Sequence, residues 1–336
     1  MVDDGSGVRK LASSSRARVC PAFCGRIATT WPSGNITYSD CQACGWGSRS
    51  IEKYLCTPCE DPLPLYDWLY LTFVAVVPLL LHSFFIHLYA PKTSVRSQQV
   101  AQHVCCLAEC VLSGVLSVAL MPPRGSLSLN GCTKSSIREW YPMFYNPVIN
   151  HTHILRCNYE VVFPLYSLPF IYLAFCLVWL VVLRSVLYAT FLRHSAVSSS
   201  PYYAALYSIP LLALTHALFA GLLYYSFAWV TLLCSVAVNA VHMAVERGTR
   251  LRTLCVEMLS RARNLAMLFV HMALFGFSLF ALVLSASVPA ATSSTVPPSV
   301  STIGALAATL LLVPLPSIFY LLTVGLTNPA HVLDAS

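Results

Sequence analysis

Charge is scarce in this chain. Of 336 residues, 20 are Lys or Arg and 13 are Asp or Glu, so charged types make up 10%, against roughly a quarter in a soluble globular protein. Apolar types make up 57% and the mean hydropathy is +0.68, which excludes an ordinary soluble domain and leaves an integral membrane protein. Basic patches interleaved with aromatics are absent, so the net charge of +7 does not point to nucleic acid. An apolar core near the start is also missing from MVDDGSGVRKLASSSRARV. No cleaved signal peptide is therefore expected, and the N-terminal segment is expected to stay or to cross with the first helix. Neither H-x3-H nor HExxH spacing occurs, and no nucleophile elbow, phosphate loop or carboxylate pair is found in the loops. The expectation is a protein without catalysis and without a cofactor.

What is abundant is long apolar sequence, and a spanning helix needs about 20 such residues. Seven candidates follow: 66–89, 100–121, 161–183, 202–221, 224–245, 265–288 and 303–323. Residues 202–245 are too long for one span and right for a hairpin with a turn near Gly221 to Tyr225. Tyr66, Trp68 and Tyr70 form an interfacial aromatic belt at the start of the first span, and Pro122 and Pro123 stop the second. The fold class is an all-α polytopic membrane protein of about seven helices. It carries a small cysteine-rich N-terminal module (1–65), a long loop (122–160), a connector (246–264) and a short tail (324–336).

The loops divide into two sets. Lys92, Arg96, Arg184, Arg193, Arg247, Arg250, Arg252, Arg261 and Arg263 fall in one, while Arg124, Lys134, Arg138 and Arg156 fall in the long loop of the other. Positive residues favour the cytosolic side, so the first set is expected in the cytosol, with the N-terminus lumenal or extracellular and the C-terminus cytosolic. Two independent signals agree. The N-x-S/T acceptors Asn35 and Asn150 lie in the N-terminal segment and the long loop, and eight of the cysteines lie there too.

Those cysteines are Cys20, Cys24, Cys41, Cys44, Cys56 and Cys59 in the N-terminal segment and Cys132 and Cys157 in the long loop. Cys41/Cys44 and Cys56/Cys59 are both C-x2-C, which in the cytosol would read as a tetrahedral zinc site. On the lumenal side oxidation competes, and a small segment with little core of its own is expected to be stapled by disulfides. Six cysteines allow 15 pairings, and Cys132 and Cys157 pair either with each other across the loop or with the module.

Glu109 is the one carboxylate well inside a span, which makes it a functional candidate, set against a plain hydrogen bond to a neighbouring helix. In the connector ERGTRLRTLCVEMLSRARN, Leu251, Leu254, Cys255, Met258 and Leu259 recur along one helical face. Arginines flank that face, so the expectation is a basic amphipathic helix lying on the anionic membrane lipid. Within it, RLRTLCV places arginines ahead of Leu254 and Val256, which resembles the docking peptides that MAP kinases bind. Arg250, Arg252, Leu254, Val256, Arg261 and Arg263 are thus the candidate cytosolic contact residues.

Several phrases then align with one family. LYDWLYL (65–71), PLLLHSFFI, EWYPMFYNP (139–147), VVFPLYSLPFIYLAFCLVWLVVLR (161–184), YYAALY (202–207) and GLLYYSF (221–227) resemble the Jun-kinase-associated membrane protein (JAMP) family, as does the order of cysteines before the first span. The resemblance runs from about residue 19 to 326. It implies a seven-span protein of the endoplasmic reticulum, also at the plasma membrane. Such a protein would act as an adaptor that brings proteasomes and ubiquitin ligases to the membrane during unfolded-protein stress, and would bind a Jun N-terminal kinase and prolong its activity. The alternative is a seven-span receptor or transporter for a small ligand. Against it, the third span ends in LRSVLY rather than an acidic-Arg-aromatic triplet, and Asn328-Pro329 lacks a following tyrosine.

Overall fold

The computed structural model describes residues 19–51, 54–90, 96–134, 136–145, 157, 159–193, 199–245, 256, 260–287, 304, 308 and 313–323. Among these, four short strands precede six helices. The strands are β1 (Ala28–Thr30), β2 (Ile36–Tyr38), β3 (Ser48–Ile51) and β4 (Leu55–Pro58), paired as two antiparallel hairpins. The helices are α1 (Leu65–Leu88), α2 (Arg96–Leu120), α3 (Ser167–Thr190), α4 (Ser200–Val245), α5 (Ala262–Ser287) and α6 (Leu315–Thr323). The first five are long and apolar enough to cross a membrane. The module before α1 is therefore not helical; it is a small β cap on a helical membrane domain.

The cap has almost no apolar core. Every residue of β1 and β2 is exposed, and an isolated two-stranded hairpin is marginal in water. Gly34 takes a φ of +80° at the turn between them, a conformation that an L side chain would resist. Sulfur replaces the missing hydrocarbon. Cys20, Cys24 and Cys157 form the buried cluster at its centre, with Cys41 and Ala43 packed against it. The polypeptide closes so tightly on the bridges that a side chain at Gly25 would come within 2.6 Å of the Cys56 sulfur.

The helices carry their apolar side chains outward. Leu211, Leu218, Leu233 and Phe269 are all more than half exposed, as expected where lipid rather than a protein core covers them. The buried stripe of α3 (Tyr172, Leu173, Cys176, Leu180 and Arg184) repeats at helical spacing and packs against α2. The facing side of α2 is built from small and polar residues, with Cys106, Cys110, Ser113 and Ser117 buried. Small residues let two helix backbones approach closely, which replaces the hydrophobic driving force that lipid removes. Tyr172 then reaches the Ala75 carbonyl of α1 at 2.8 Å.

Two boundaries differ from the sequence expectation. The third helix starts at Ser167 rather than 161 and ends at Thr190 rather than 183. Pro164 disfavours helical backbone at Phe163, and Val162, Phe163 and Leu165 are instead a buried turn ahead of the helix. The hairpin expected over 202–245 is a single uninterrupted helix. The segment GLLYY contains no proline, and one glycine alone does not end a helix. At 1.5 Å per residue α4 is about 69 Å long, roughly twice the hydrocarbon thickness of a bilayer. The other spans agree to within a few residues, except that of 303–323 mainly Leu315–Thr323 is described.

By internal packing the chain forms two units, and the division falls inside α1, between Phe73 and Val74, and inside α4, between Gly221 and Leu222. The first holds the cap, α2, α3 and the adjoining parts of α1 and α4. The second holds residues 64–73 and the chain from Leu222 onward. Its interior is aromatic: Tyr70 packs edge-on to Tyr224 at 5.2 Å, and Phe227 lies 5.6 Å from Phe73. The Tyr224 hydroxyl donates to the buried Asp67 carboxylate at 2.7 Å. Nearer the far end of α4, the Ser235 hydroxyl donates to the His271 carbonyl of α5 at 3.1 Å.

Candidate functional site

Two polar constructions stand out in the first unit. The first lies within the helices and is centred on Glu109. Arg184 of α3 grips this carboxylate with both arms of its guanidinium, Nε to Oε1 at 2.8 Å and Nη2 to Oε2 at 3.0 Å. His82 of α1 joins through Nδ1, 3.2 Å from Arg184 Nη2 and 3.7 Å from Glu109 Oε2. Glu109 is 1% exposed and His82 0%. Three helices thus meet at one ion pair, and a fork-on-fork contact of this kind fixes direction as well as distance. Cys105 adds a weak sulfhydryl donor to Glu109 Oε1 at 3.4 Å.

Sequence reasoning singled out Glu109 and missed its partner. The end of the apolar run puts Arg184 in the cytosolic loop set; the structure corrects this, since α3 continues for six residues beyond it and Arg184 is buried. The signal that would have found it is its register. Arg184 follows Tyr172, Cys176 and Leu180 at steps of four, on the buried face of the helix.

A metal is the other chemistry to weigh at this place. Donor atoms of His82, Cys106 and Glu109 lie within 4.8 Å of one another. Both oxygens of Glu109 already face the guanidinium, and a second cation would sit against that fixed positive charge. The donor set does not fit an ion.

The second construction is the cap and its attachment. All eight cysteines singled out above are bridged: Cys20–Cys41, Cys24–Cys157, Cys44–Cys56 and Cys59–Cys132. Cys41 and Cys44 therefore go to different partners, which leaves no four-thiolate zinc site. Cys132 and Cys157 bond to the module rather than to each other, so the loop before α3 is part of the cap. Backbone pairing reinforces this, Gly131 N–H to the Asp61 carbonyl at 2.9 Å and Cys132 N–H to the Phe163 carbonyl at 2.9 Å.

Side chains complete the attachment. Arg49 on β3 donates to the buried Glu139 at 2.7 Å. Glu160 sits at the start of α3, where Oε1 accepts the N–H groups of Tyr166 and Ser167 at 2.9 and 3.0 Å and Oε2 accepts the Trp46 indole N–H at 3.1 Å. A carboxylate over a helix N-terminus offsets the unpaired N–H groups there. Burial nonetheless raises the Glu160 carboxyl above the usual carboxylate range, against the pull of those hydrogen bonds. Beyond Glu139, Trp140 is buried against Gly221 of α4, where an added Cβ would lie 2.8 Å from the Trp140 Cβ.

The remaining candidates divide by position. Asn35 is exposed beside the turn of the first hairpin. Asn150 lies outside the described residues, as do Arg250, Arg252 and Leu254. Val256 and Arg261 are described and exposed, and Arg263 lies within α5. The apolar face expected of the connector, Leu251, Leu254, Cys255, Met258 and Leu259, lies outside the described residues.

Residues 20–329 match the family model of the JNK1/MAPK8-associated membrane protein. A JNK1/MAPK8-associated membrane protein homolog of Caenorhabditis elegans is 35% identical over 328 residues, covering 94% of this chain and 96% of the relative. The JNK1/MAPK8-associated membrane proteins of Homo sapiens and Mus musculus are 34% and 33% identical over 317 residues, covering 93% of this chain and 94% of each relative. No solved structure matches. A match over nearly the whole length, cap and helices together, places the chain by descent: it belongs to the JNK1/MAPK8-associated membrane protein family.

Proposed function

We propose that this protein is a membrane adaptor of the endoplasmic reticulum that holds a Jun N-terminal kinase, and with it proteasome and ubiquitin-ligase machinery, on the cytosolic face. The observation that carries the reading is the near full-length similarity to relatives named for association with this kinase. The degradation partners and the reticulum come from the family resemblance set out above.

The cap supports a sidedness. Four disulfides in one small module fit an oxidising compartment, which favours a lumenal or extracellular cap. Asn35, exposed beside a hairpin turn, is on that side a glycan acceptor. Helix α1 then delivers the chain to the cytosol before Arg96, and α3 delivers it there again at Arg193. The connector 246–264 is assigned to the same side on its arginines alone, since one unbroken α4 would not by itself return the chain there; in the cytosol Leu254 and Val256 would offer the hydrophobic half of a kinase-docking peptide.

The test is co-precipitation from cells. Leu254→Ala with Val256→Ala is expected to lose the kinase while the protein stays in the membrane, and reversal of Arg250, Arg252, Arg261 and Arg263 to Glu is expected to weaken proteasome recovery. Undiminished kinase in the first variant removes the connector as the docking site. Glycosidase-sensitive mobility that disappears in Asn35→Gln checks the sidedness separately.

A further inference from the structure

The cap holds a partly open pocket of about 350 Å³ between its strands and the segment ahead of α3. That volume lies within the range of small-molecule sites, roughly 300–1,000 Å³. Its walls are mostly apolar, with Phe23, Ala43, Tyr159 and Val161 among them, and both Cys44 and Cys157 bring disulfide sulfur to the lining. Two of the four bridges thus hold its walls in place.

Its polar groups are few and unevenly used. Arg49 spends Nη2 on Glu139 at 2.7 Å, while its Nη1 is buried with no hydrogen-bond partner. Ser50, also in the lining, has a hydroxyl in the same condition. A buried donor without an acceptor costs about 1–3 kcal/mol, more when it is charged, and such groups are rare unless something is meant to meet them. Glu160, by contrast, has both oxygens occupied by the N–H groups of Tyr166, Ser167 and Trp46.

The charge balance selects the chemistry. Among the described lining residues Arg49 is already neutralised by Glu139, and Glu160 adds a further acidic group, so an anion entering here would meet net negative charge from them. An uncharged acceptor meets none. We propose that this cavity binds an uncharged ligand that presents a carbonyl oxygen to Arg49 Nη1 and packs its apolar part against Phe23 and Tyr159. Amide carbonyls flanked by aliphatic groups, the repeating unit of an unfolded chain, have this chemistry. The proposal stands on the cap alone and does not depend on kinase association.

The probe is N-acetyl-leucylvaline amide, titrated by NMR line broadening against the 336-residue chain in nanodiscs, with empty nanodiscs subtracted and the free-acid form as a second arm. Saturable binding of the amide is expected, with the acid at least tenfold weaker. Arg49→Met combined with Glu139→Gln removes the donor without stranding a carboxylate, and Ala43→Phe fills the cavity with its polar groups intact. Each is expected to weaken the amide at least tenfold while non-reducing mobility shows the bridges formed. No saturable binding to the native chain would mean the cavity holds solvent only and overturns the proposal. Equal binding by both variants overturns it as well, and tighter binding of the acid overturns the choice of an uncharged ligand.

Discussion

The cap and the helical part of the first unit face the same problem and solve it differently. Each must hold segments together without the usual hydrophobic drive, the cap because it is too small to bury a core and the helices because lipid is as apolar as their own side chains. The cap uses covalent bridges, four in a module whose first hairpin is wholly exposed. The helices use one forked ion pair and close packing of small residues. What differs is how each can be undone: a cap of bridges yields to reductant, while a buried ion pair is untouched by it.

The comparison breaks most sharply at Glu109. Glu109→Ala leaves the Arg184 guanidinium buried without its partner, and the expected loss is about 3–5 kcal/mol, read as unfolding in detergent. Glu109→Leu combined with Arg184→Met should recover most of it. A loss below about 1 kcal/mol for the single change would show that the pair does not clamp the helices.

Next comes Cys24→Ser with Cys157→Ser, which opens the bridge of longest separation, 133 residues. About 2–4 kcal/mol is expected, and more than for Cys44→Ser with Cys56→Ser, whose separation is 12. Protease protection of the cap measures both. Equal protection in the two variants would mean that the span of the bridge does not matter here. Smallest is Gly221→Ala, whose methyl would press on Trp140. Overpacking of this kind costs about 1–3 kcal/mol, and Trp140 fluorescence should shift with it.

The same contrast explains what the sequence disclosed. Cysteine has distinctive chemistry, so all eight members of the cap were legible, even to their rivalry with zinc. Their pairing was not, because it depends on which strands and loops meet, and Cys132 and Cys157 join the module only through folding of the 122–160 loop. Helix positions were legible from hydropathy, and α1 agrees to within a residue. Arg184 was not, because a hydropathy window stops at the first charge and cannot distinguish a flanking arginine from one that answers a carboxylate on the neighbouring helix. For α4 the length of the apolar run suggested a fold-back, and nothing in GLLYY enforces one. The cavity beside Arg49 had no sequence signal at all; Arg49, Glu139 and Glu160 come together from three separate segments.

The Cys24–Cys157 bridge also sets an order of events in time. Cys20–Cys41 and Cys44–Cys56 link neighbours and can close as soon as the first sixty residues emerge. Cys24 has to wait until another 133 residues have been made, which at about 5–20 residues per second is on the order of 7–27 s. During that interval α1 and α2 are synthesised while Cys24 still carries an unpaired thiol. Completion of the cap therefore reports that the chain has been built as far as the entrance to α3, a built-in proof of assembly available to whatever surveys the nascent protein.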